Sequence, residues 1–523
     1  MSAAPDTLSQ PRFDRTAWLV LWGGLLAYSL AAAPVPYVNE PHYLCKARHF
    51  WDPTWCRGDL FLESFNAHAV FYELMGWWTT WLPFAVVAWL GRVVALGWLA
   101  AGFVSALQPM VGSRTRIWLI VAGWLALQAC GSFSGEWVVG GIEGKVFAYA
   151  GLLCAWGALC RGRLVIAGLW TGIAMAFHPV VGGWGFLAAL GAILVARLTG
   201  SRLLPQSADV SWLRTLTAAG LLVIAALPGL VPALRMLGQP VATNVRFAGT
   251  YLQVYHRLGH HLDPMLFPWN GYACYGLLLG LLLILGWRQR SQPLLRALCL
   301  VTLCAVAFAL AGVAIGYGSR PPQQMPWYQY RMHLLKFYPF RLADALLPLA
   351  VCVLIVQQVK AGPRLLGSLA GLLLVAALAR GGSLAAEYRL TKEQNPDWIA
   401  GCHWLRDHAP ADSLVMTPHD SWSFKWYAGL PEYVNFKDCP QDAAGIVEWN
   451  RRLLFQQKWF QEHYADQFYS TTELRDLSQK TGTAYLITDH LGPMEPTPVF
   501  EQGAIRIYDL RAPAAAQSPA SPR

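Results

Sequence analysis

The chain is poor in charged residues, and acidic side chains are scarce along its middle part. Only 13% of its 523 residues are Asp, Glu, Lys or Arg, whereas about 25% is usual for a soluble domain. Six acids occur between Ala69 and Ala385: Glu73, Glu136, Glu143, Asp209, Asp263 and Asp344. This composition excludes an ordinary soluble protein and predicts an integral membrane protein, in which an ionisable group near the membrane interior usually marks a functional site.

The basic residues do not indicate a nucleic-acid-binding surface. The formal net charge is +10, but Lys and Arg are scattered through short loops between apolar runs. That distribution is typical of residues that fix the orientation of membrane helices. We therefore expect a lipid bilayer around the chain and no nucleic-acid partner.

Apolar runs of roughly the length that crosses a bilayer, about 20 residues, recur along the first three quarters of the sequence. The runs on either side of His178 are short, so they form either a re-entrant hairpin or two tilted half-length helices. We predict an α-helical polytopic membrane protein of about 11 transmembrane helices, near residues 17–35, 83–106, 116–132, 144–160, 164–178, 181–196, 215–236, 270–287, 297–316, 341–358 and 364–381.

Short basic loops between alternate runs predict the orientation of the chain. The positive-inside rule puts these loops in the cytoplasm together with the N-terminus. An odd number of spans then puts the C-terminal part outside, in a multi-pass protein of the plasma (inner) membrane. The loops carry Arg114 and Arg116, Arg161 and Arg163, Arg197 and Arg202, Arg288, Arg290 and Arg296, and Lys360 and Arg364.

The composition changes after residue 381, where polar residues and Trp become frequent. Residues 1–381 are thus predicted to form the membrane domain, with an exoplasmic loop at 36–82. Residues 382–512 are predicted to form an extracytoplasmic α/β domain, and the Pro/Ala/Ser-rich end, 513–523, a disordered tail. Within the α/β domain we expect helices at 396–408, 443–464 and 470–481 and strands at 413–418, 432–436, 483–489 and 504–510.

Cysteine spacing gives no zinc motif, but it leaves two disulfides open. Eleven cysteines are spread over both parts of the chain. Cys45 and Cys56 share one predicted exoplasmic loop, and Cys402 and Cys439 share the C-terminal domain. Outside the cytoplasm either pair could be oxidised, and sequence alone decides neither.

The loop after the first apolar run is unusually acidic, with Glu40, Asp52, Asp59 and Glu63 among aromatic and His residues. Glu40 follows directly on the predicted helix end, so it is either a general base or an interfacial glutamate hydrogen-bonded to the backbone. Asp59 and Glu63 share one face if the loop is helical. They then bind an acceptor or a metal, or they form a solvated face.

Two further sites lie at the ends of predicted spans. Glu143 and Lys145 begin the fourth span within a glycine-rich stretch. They form either a structural ion pair or a pair that binds a ligand, since a desolvated pair is otherwise costly. His178 interrupts the short pair of runs, where it is a helix-end residue or a ligand contact.

The segment before the tenth span is the best phosphate site in the sequence. It carries Arg331, His333, Lys336 and Arg341 among Trp and Tyr residues. Arg binds phosphate oxygens bidentately and Lys adds a point charge. The alternative is an ordinary interfacial belt of aromatic and basic side chains. The basic segment from Arg246 to His261, with Asp263, is a second candidate.

Aromatic side chains in the C-terminal domain suggest an acceptor site. Trp422, Phe424 and Trp426 lie in the segment SWSFKWYA. They either stack on a sugar or alternate along a strand in the core.

The order of these features resembles the GT-C superfamily of membrane glycosyltransferases. The resemblance is carried by Asn39-Glu40-Pro41-His42-Tyr43-Leu44 with Ala47 and Arg48 after the first helix, and by the C-terminal α/β domain. It implies transfer of a sugar from a polyprenyl-phosphate donor to a glycan, lipid or protein acceptor. Glu40, His42, Asp59 and Glu63 would then be catalytic. His42 stands where the family has a second acid, and Glu40 with His42 would hold a divalent ion, Mg or Mn.

Two other classes of protein have similar composition. A transporter would place charged pairs at the bilayer midplane and often has inverted repeats, whereas the acids here lie near predicted span ends and no repeat is evident. A non-catalytic scaffold of the same fold is the other alternative, because fold alone does not establish chemistry.

Overall fold

The structure is a computed structural model, and it describes residues 13–201, 203–204 and 211–511. The predicted tail at 513–523 lies outside the described residues. The first part of the described chain is a bundle of helices whose longest members are apolar. These helices are α1 Arg15–Ala32, α2 Glu40–Trp51, α3 Ala69–Thr79, α4 Phe84–Val111, α5 Arg114–Cys130, α6 Gly144–Cys160, α7 Leu164–Phe177, α8 Pro179–Leu198, α9 Trp212–Leu237, α10 Thr243–Tyr251, α11 Gly259–Leu262, α12 Trp269–Arg288, α13 Pro293–Gly316, α14 Tyr328–Leu335, α15 Arg341–Gln358 and α16 Pro363–Arg389.

Seven of the described helices are long and apolar enough to cross a membrane, namely α4, α8, α9, α12, α13, α15 and α16. Two shorter apolar helices, α6 and α7, accompany them. Each of the remaining predicted runs, 17–35 and 116–132, largely coincides with one helix, α1 or α5. The chain therefore has the apolar helices of a membrane protein.

The basic loops between alternate helices lie at one end of the bundle. Asp14, before α1, pairs with Arg114 at the start of α5, with 3.3 Å between Oδ2 and Nε. Arg161, after α6, donates to the carbonyl of Ser105 near the end of α4 at 2.7 Å. The other end of the bundle is covered by the C-terminal part of the chain. Asp59, in the loop after α2, pairs there with Lys425 of the C-terminal part.

A single residue, His178, connects α7 to α8 and produces a sharp corner. Its φ of −151° and ψ of 94° end α7, and its side chain accepts from the amide of Val181 to cap α8. Gly182 allows the close approach, because a Cβ there would lie 2.4 Å from the amide nitrogen of Met175. The pair is one short helix of 14 residues and one of 20, so only α7 is of half length.

The C-terminal part is a small α/β unit that begins later than predicted, because α16 continues to Arg389. Its sheet has the strand order β1-β2-β4-β3, with β1 parallel to β2 and the other pairs antiparallel. Its elements are α17 Pro396–His408, β1 Val415–Met416, α18 Phe424–Ala428, α19 Ala443–Glu462, α20 Thr471–Thr481, β2 Tyr485–Thr488, β3 Phe500–Gln502 and β4 Ile505–Asp509.

Alternation along β2 explains the two small cores of this unit. Tyr485 and Ile487 pack with α17 on one face, while Leu486 packs with α19 on the other. Successive side chains of a strand point to opposite faces, so one strand serves both cores. Trp398 of α17 and Trp449 of α19 are completely buried at their centres.

One strand prediction in this unit is wrong, and one alternative left open by the sequence is not realised. Residues 432–436 form no strand and make a single bridge, between Glu432 and Val415. Their side chains are used instead in a buried polar cluster and in the segment that follows it. The aromatic segment around Trp422 and Trp426 is not an alternating strand, because Phe424–Ala428 is the short helix α18.

All eleven cysteines are free. Cys45 and Cys56 are buried in one small cluster with Phe61 and Leu62. Cys402 and Cys439 belong to the two different cores of the α/β unit, so neither open pair forms a disulfide here.

Candidate functional site

A cavity of about 680 Å³ lies between the covered end of the helix bundle and the C-terminal unit. Its walls come from many parts of the sequence: α2, the loop before α6, the His178 corner, α8, α9, α13, the segment between α14 and α15, and residues 437–441. The cavity has a charged half and an apolar half.

The charged half contains more cations than carboxylates. Five Lys or Arg side chains and two Glu side chains line it, which leaves an excess of three positive formal charges. A low-dielectric cavity of this sign attracts an anion. The cations are Lys145, Arg257, Lys336, Arg341 and Lys437, and the carboxylates are Glu136 and Glu143.

Both carboxylates are paired with cations along one wall. Arg341, at the start of α15, lies 2.9 Å from Glu136 (Nε to Oε2), and its Nη1 lies 3.1 Å from Nε2 of His178. Lys145 lies 3.4 Å from Glu143 and 3.9 Å from Glu136. The sequence-predicted residues Glu143, Lys145, His178 and Arg341 are thus brought together in one network.

Asn39 extends this network to the C-terminal unit. Its amide nitrogen donates to Glu143 at 2.7 Å, and its amide oxygen accepts a hydrogen bond from Lys437. Burial, with Arg257 nearby, lowers the pKa of Lys437 to about 7. A buried ammonium is costly unless a counter-charge is close, so Lys437 would be stabilised by a bound anion.

Three of the cations have no ion-pair partner in the described part of the chain: Lys336, Arg257 and Lys437. Arg257 donates from Nη2 to the carbonyl of Lys437 at 2.9 Å, while its buried Nε has no hydrogen-bond partner. The buried Nδ1 of His68 is also without a partner among the described residues. Unsatisfied buried polar atoms are rare and costly, and both Arg257 and His68 line this one cavity.

The other half of the cavity is apolar. Most of it is formed by α8, α9 and α13, which are long enough to cross a membrane, and the rest by Leu334 of α14 and Phe337 after that helix. Leu187, Leu234 and Phe337 are partly exposed there. Its lining side chains are Leu187, Leu230, Ala233, Leu234, Met236, Leu237, Phe308, Ala311, Ile315, Leu334 and Phe337.

His42 joins the cavity to the C-terminal unit through a hydrogen bond to a carboxylate. Its Nδ1 lies 2.8 Å from Oδ1 of Asp438, and its ring stacks on Phe61 with 4.3 Å between centroids. Burial is the main cause that lowers the pKa of His42 to about 4, although Asp438 opposes that shift. The imidazole is therefore neutral near pH 7.

Asp438 belongs to a buried polar cluster centred on Lys425. The Lys425 ammonium lies 2.7 Å from Asp438, 2.7 Å from Glu432 and 3.3 Å from Asp59. Despite the cost of burial, the proximity of Lys425 and the hydrogen bond with His42 hold the pKa of Asp438 well below its usual range. Burial works against the ammonium form of Lys425, but the three nearby carboxylates outweigh it and raise the pKa of Lys425 well above its usual value, so Lys425 is protonated.

Glu40 does not line the cavity. It is completely buried, and its two oxygens accept from Nε and Nη2 of Arg92, each at 2.8 Å. The amides of Tyr37 and Ile142 donate to the same carboxylate at 2.8 and 3.0 Å. With four donors already bound, this carboxylate has the geometry of a structural ion pair, and the position does not favour the predicted role as base.

The expected divalent-metal site at Glu40 and His42 does not fit this arrangement. Glu40 is occupied by Arg92, and Nδ1 of His42 is occupied by Asp438. Within the ranges that the structure describes, no group of three or more His, Cys, Asp or Glu side chains has the arrangement of a metal site. Glu40 and His42 are therefore not placed to bind a metal ion together.

Asp59 and Glu63 do not act together. Asp59 is buried, accepts from the amides of Phe61 and Leu62 at 3.0 and 2.9 Å, and pairs with Lys425. Glu63 is exposed and accepts from the amide of Gly58 at 2.6 Å. Asp59 thus connects the first loop to the C-terminal unit, and Glu63 stabilises a turn.

The predicted phosphate segment is divided by the structure. Lys336 and Arg341 line the cavity, but Arg331 and His333 do not. Arg331 donates to the carbonyls of Ile315 and Tyr317 at 3.2 and 3.4 Å, and Nδ1 of His333 lies 3.3 Å from Oγ1 of Thr250.

The second basic candidate also reaches the cavity, through Arg257, His260 and His261. Its acidic member, Asp263, is paired with Arg320, with 3.1 Å between Oδ2 and Nε, and does not contribute to the lining.

The aromatic segment of the C-terminal unit packs against the membrane domain and does not form an open platform. Trp426 stacks on Phe84 at the start of α4, with 5.0 Å between centroids. Trp422 lies against Tyr388 at the end of α16, and Phe424 is completely buried. These side chains hold the two parts of the chain together.

Arg92, which binds Glu40 outside the cavity, and several residues of the site were not singled out from the sequence. Arg92 could have been found, because an arginine inside a long apolar run requires a buried counter-charge. Glu136 is a similarly isolated acid. Lys437 and Asp438 give no such signal, since only the tertiary fold brings them to α2.

Comparison with known protein families matches part of the C-terminal unit. A family described as a domain of unknown function, DUF6798, matches residues 396–454. That segment runs from α17 into α19 and includes Lys425, Glu432, Lys437 and Asp438. No curated protein matches the chain at a significant level.

Proposed function

We propose that this chain is an integral membrane glycosyltransferase of the GT-C type. It moves a sugar from a polyprenyl-phosphate donor to a glycan, lipid or protein acceptor at the exoplasmic face. The observation that carries the proposal is the two-sided cavity, in which an excess of three positive charges adjoins an apolar wall of membrane-length helices. A lipid-linked sugar phosphate has the complementary form, an anion between a hydrocarbon chain and a polar sugar.

The charged half suits a phosphate that departs as a leaving group. Negative charge develops on the phosphate oxygens as the bond to the sugar breaks, and fixed cations in a water-poor site stabilise it. Lys336, Arg257 and Lys437 have no carboxylate partner to compete with the phosphate within the described ranges. Arg341 remains held by Glu136 and is therefore rigid, which favours precise placement of its guanidinium.

The orientation is part of the proposal. Eleven spans, α1, α4 to α9, α12, α13, α15 and α16, put the N-terminus and the basic loops in the cytoplasm and the C-terminal unit outside. Lys458 is 73% exposed in its side chain on α19, so a single reporter cysteine there should react with a membrane-impermeant maleimide in intact cells. Reaction only after the membrane is opened would reverse the orientation.

Glycine substitutions offer a direct test of the cavity. Gly183 of α8 lines it, and a Cβ there meets nothing within 4 Å, so Gly183→Phe should fill the space without disturbing the fold. Gly220 of α9 also has open space around its Cβ and does not line the cavity, so Gly220→Phe is the matched control.

The experiment measures two quantities on purified protein in lipid nanodiscs: binding of undecaprenyl phosphate, and release of radiolabelled sugar from undecaprenyl-phosphate hexoses. Wild type and Gly220→Phe should show both, and Gly183→Phe neither. If Gly183→Phe still bound the lipid, the cavity would not be the donor site. Binding without sugar release from any hexose donor would favour a transporter or a scaffold over an enzyme.

A further inference from the structure

The base of the proposed reaction has to come from a residue other than Glu40, and His42 has the right surroundings. It lines the cavity with its ring fixed between Asp438 and Phe61. Its Nδ1 is engaged at 2.8 Å, whereas its Nε2 has no hydrogen-bond partner in the described part of the chain. The free nitrogen of a fixed imidazole is the usual position for proton transfer in proteins.

Asp438 decides which nitrogen of His42 carries the proton. An ionised carboxylate only accepts hydrogen bonds, so Nδ1 of His42 must be the N–H that donates to it. Nε2 is then the lone-pair nitrogen. The second oxygen of Asp438, Oδ2, is held by Lys425 at 2.7 Å and by the amide nitrogen of Asn435 at 3.2 Å, so the carboxylate is fixed from both sides.

We propose that His42 is the general base that activates the acceptor and that Asp438, supplied by the C-terminal unit, is its positioning residue. This inference rests on the proposed function. The acceptor hydroxyl gives its proton to Nε2 of His42, and its oxygen forms a bond to the anomeric carbon of the donor sugar. The bond between that carbon and the phosphate oxygen breaks, and the phosphate leaves with the electron pair among the cavity cations. The imidazolium is stabilised by Asp438.

This arrangement gives the C-terminal unit a role in the chemistry. His42 and Asp438 are 396 positions apart in the chain, and Lys437, next to Asp438, faces the same cavity. Residues 437–441 therefore supply one wall of the site, and Trp426 of the same unit packs on Phe84 of the membrane domain.

Removal of the base and of its partner should give distinct results. His42→Ala should lower kcat for sugar transfer by about 10²- to 10⁴-fold, the usual contribution of a general base, with KM for the donor little changed. Imidazole added to the buffer should restore part of kcat. Asp438→Asn should lower kcat as well, and Asp438→Glu should retain more activity than Asp438→Asn because it keeps the carboxylate. The control is His408→Ala, since His408 is exposed at the end of α17.

A double mutant separates positioning from general structural damage. If Asp438 acts through His42, the variant His42→Ala/Asp438→Asn should be no slower than His42→Ala alone, because residues that act as one unit are strongly non-additive. A further loss in the double mutant equal to that of Asp438→Asn alone would refute the positioning role. Undecaprenyl phosphate binding, measured on every variant, should stay at the wild-type level.

The outcomes distinguish this inference from the proposed function. If wild-type protein neither binds undecaprenyl phosphate nor releases sugar, the proposed function is wrong. If wild type transfers sugar and His42→Ala keeps a kcat within about threefold of it, far short of what loss of a general base costs, the proposed function stands and His42 is not the base. Loss of kcat without any rescue by imidazole, together with loss of lipid binding, would also overturn the assignment, because it would show collapse of the site.

Discussion

Lys336 gives the sharpest prediction for donor binding. Its ammonium lines the cavity after α14, and it makes no ion pair with any described carboxylate. Lys336→Met keeps the length of the side chain and removes only the charge, so no buried carboxylate is left without a partner. The change therefore reports the interaction with a bound phosphate more cleanly than Arg341→Ala, which would also leave Glu136 unpaired.

The expected loss of lipid affinity follows from the free energy that a hydrogen bond to a charged group contributes. Such a bond contributes about 1.5–3 kcal/mol, which corresponds to a roughly 10- to 150-fold change in Kd. Lys336 is only half-buried, so solvent screening puts the expected value at the lower end, about tenfold. Raising the salt concentration to about 1 M shortens the screening length to about 3 Å and should reduce the difference between wild type and Lys336→Met.

The assay is equilibrium binding of radiolabelled undecaprenyl phosphate to protein in nanodiscs, with undecaprenol as the uncharged comparison. Arg331→Met is the matched control, because Arg331 lies on α14, just before Lys336, but donates to the carbonyls of Ile315 and Tyr317. It should bind the lipid like wild type. Equal affinity of wild type and Lys336→Met, or an equal loss in Arg331→Met, would refute the charged half of the cavity as the phosphate site.

Two further predictions follow from buried charges. Because burial lowers the pKa of Lys437 to about 7, its positive charge is present below that pH and lost above it. An undecaprenyl-phosphate hexose is a phosphodiester whose own charge is constant, so its affinity for the protein should fall as pH rises through about 7. Lys437→Met should remove most of this pH dependence. If the pH dependence of affinity were the same in Lys437→Met, Lys437 would not contact the donor phosphate. Glu40→Gln and Arg92→Met should each lower thermal stability by about 3–5 kcal/mol, the cost of an unpaired buried charge. The double mutant should recover part of that loss, and a purely additive loss would show that the two side chains do not depend on each other.

The helices were predictable because their signal is local. Apolar runs of the right length mark each long helix, and the predicted bounds at 144–160 and 341–358 agree with α6 and α15. In the α/β unit, helix α17 was predicted at its observed bounds, since Asn395 and Pro396 give a clear start. The failed strand prediction at 432–436 has a tertiary cause: Glu432 pairs with Lys425, and Asn435 donates to Glu432. The pairing of these buried groups overrides β-propensity.

The site was predictable only in part. Glu143, Lys145, His178, Lys336 and Arg341 stand out in the sequence because each is a charged or titratable group at the end of an apolar run, and all line the cavity. The same criterion, a charged or titratable group at the end of an apolar run, also selected side chains whose partners lie outside the cavity.

Glu40 and Arg331 illustrate that limit. Both satisfy the sequence criterion, yet one is bound by Arg92 and the other by backbone carbonyls. Which polar group faces a cavity depends on the partner that packs against it, and the partner of Glu40 is 52 positions away.

On the proposed function, the wall formed by residues 437–441 also affects when the protein can become active. The ribosome synthesises these residues after every membrane-length helix of the described chain. Domains generally fold as they emerge from the ribosome, the N-terminal ones first. A newly inserted bundle therefore has an incomplete site until the C-terminal unit has folded and docked on the first loop. Synthesis that stops early, or a protease cut between α16 and α18, would then leave a membrane-inserted chain whose cavity lacks this wall, and we expect such a chain to be inactive.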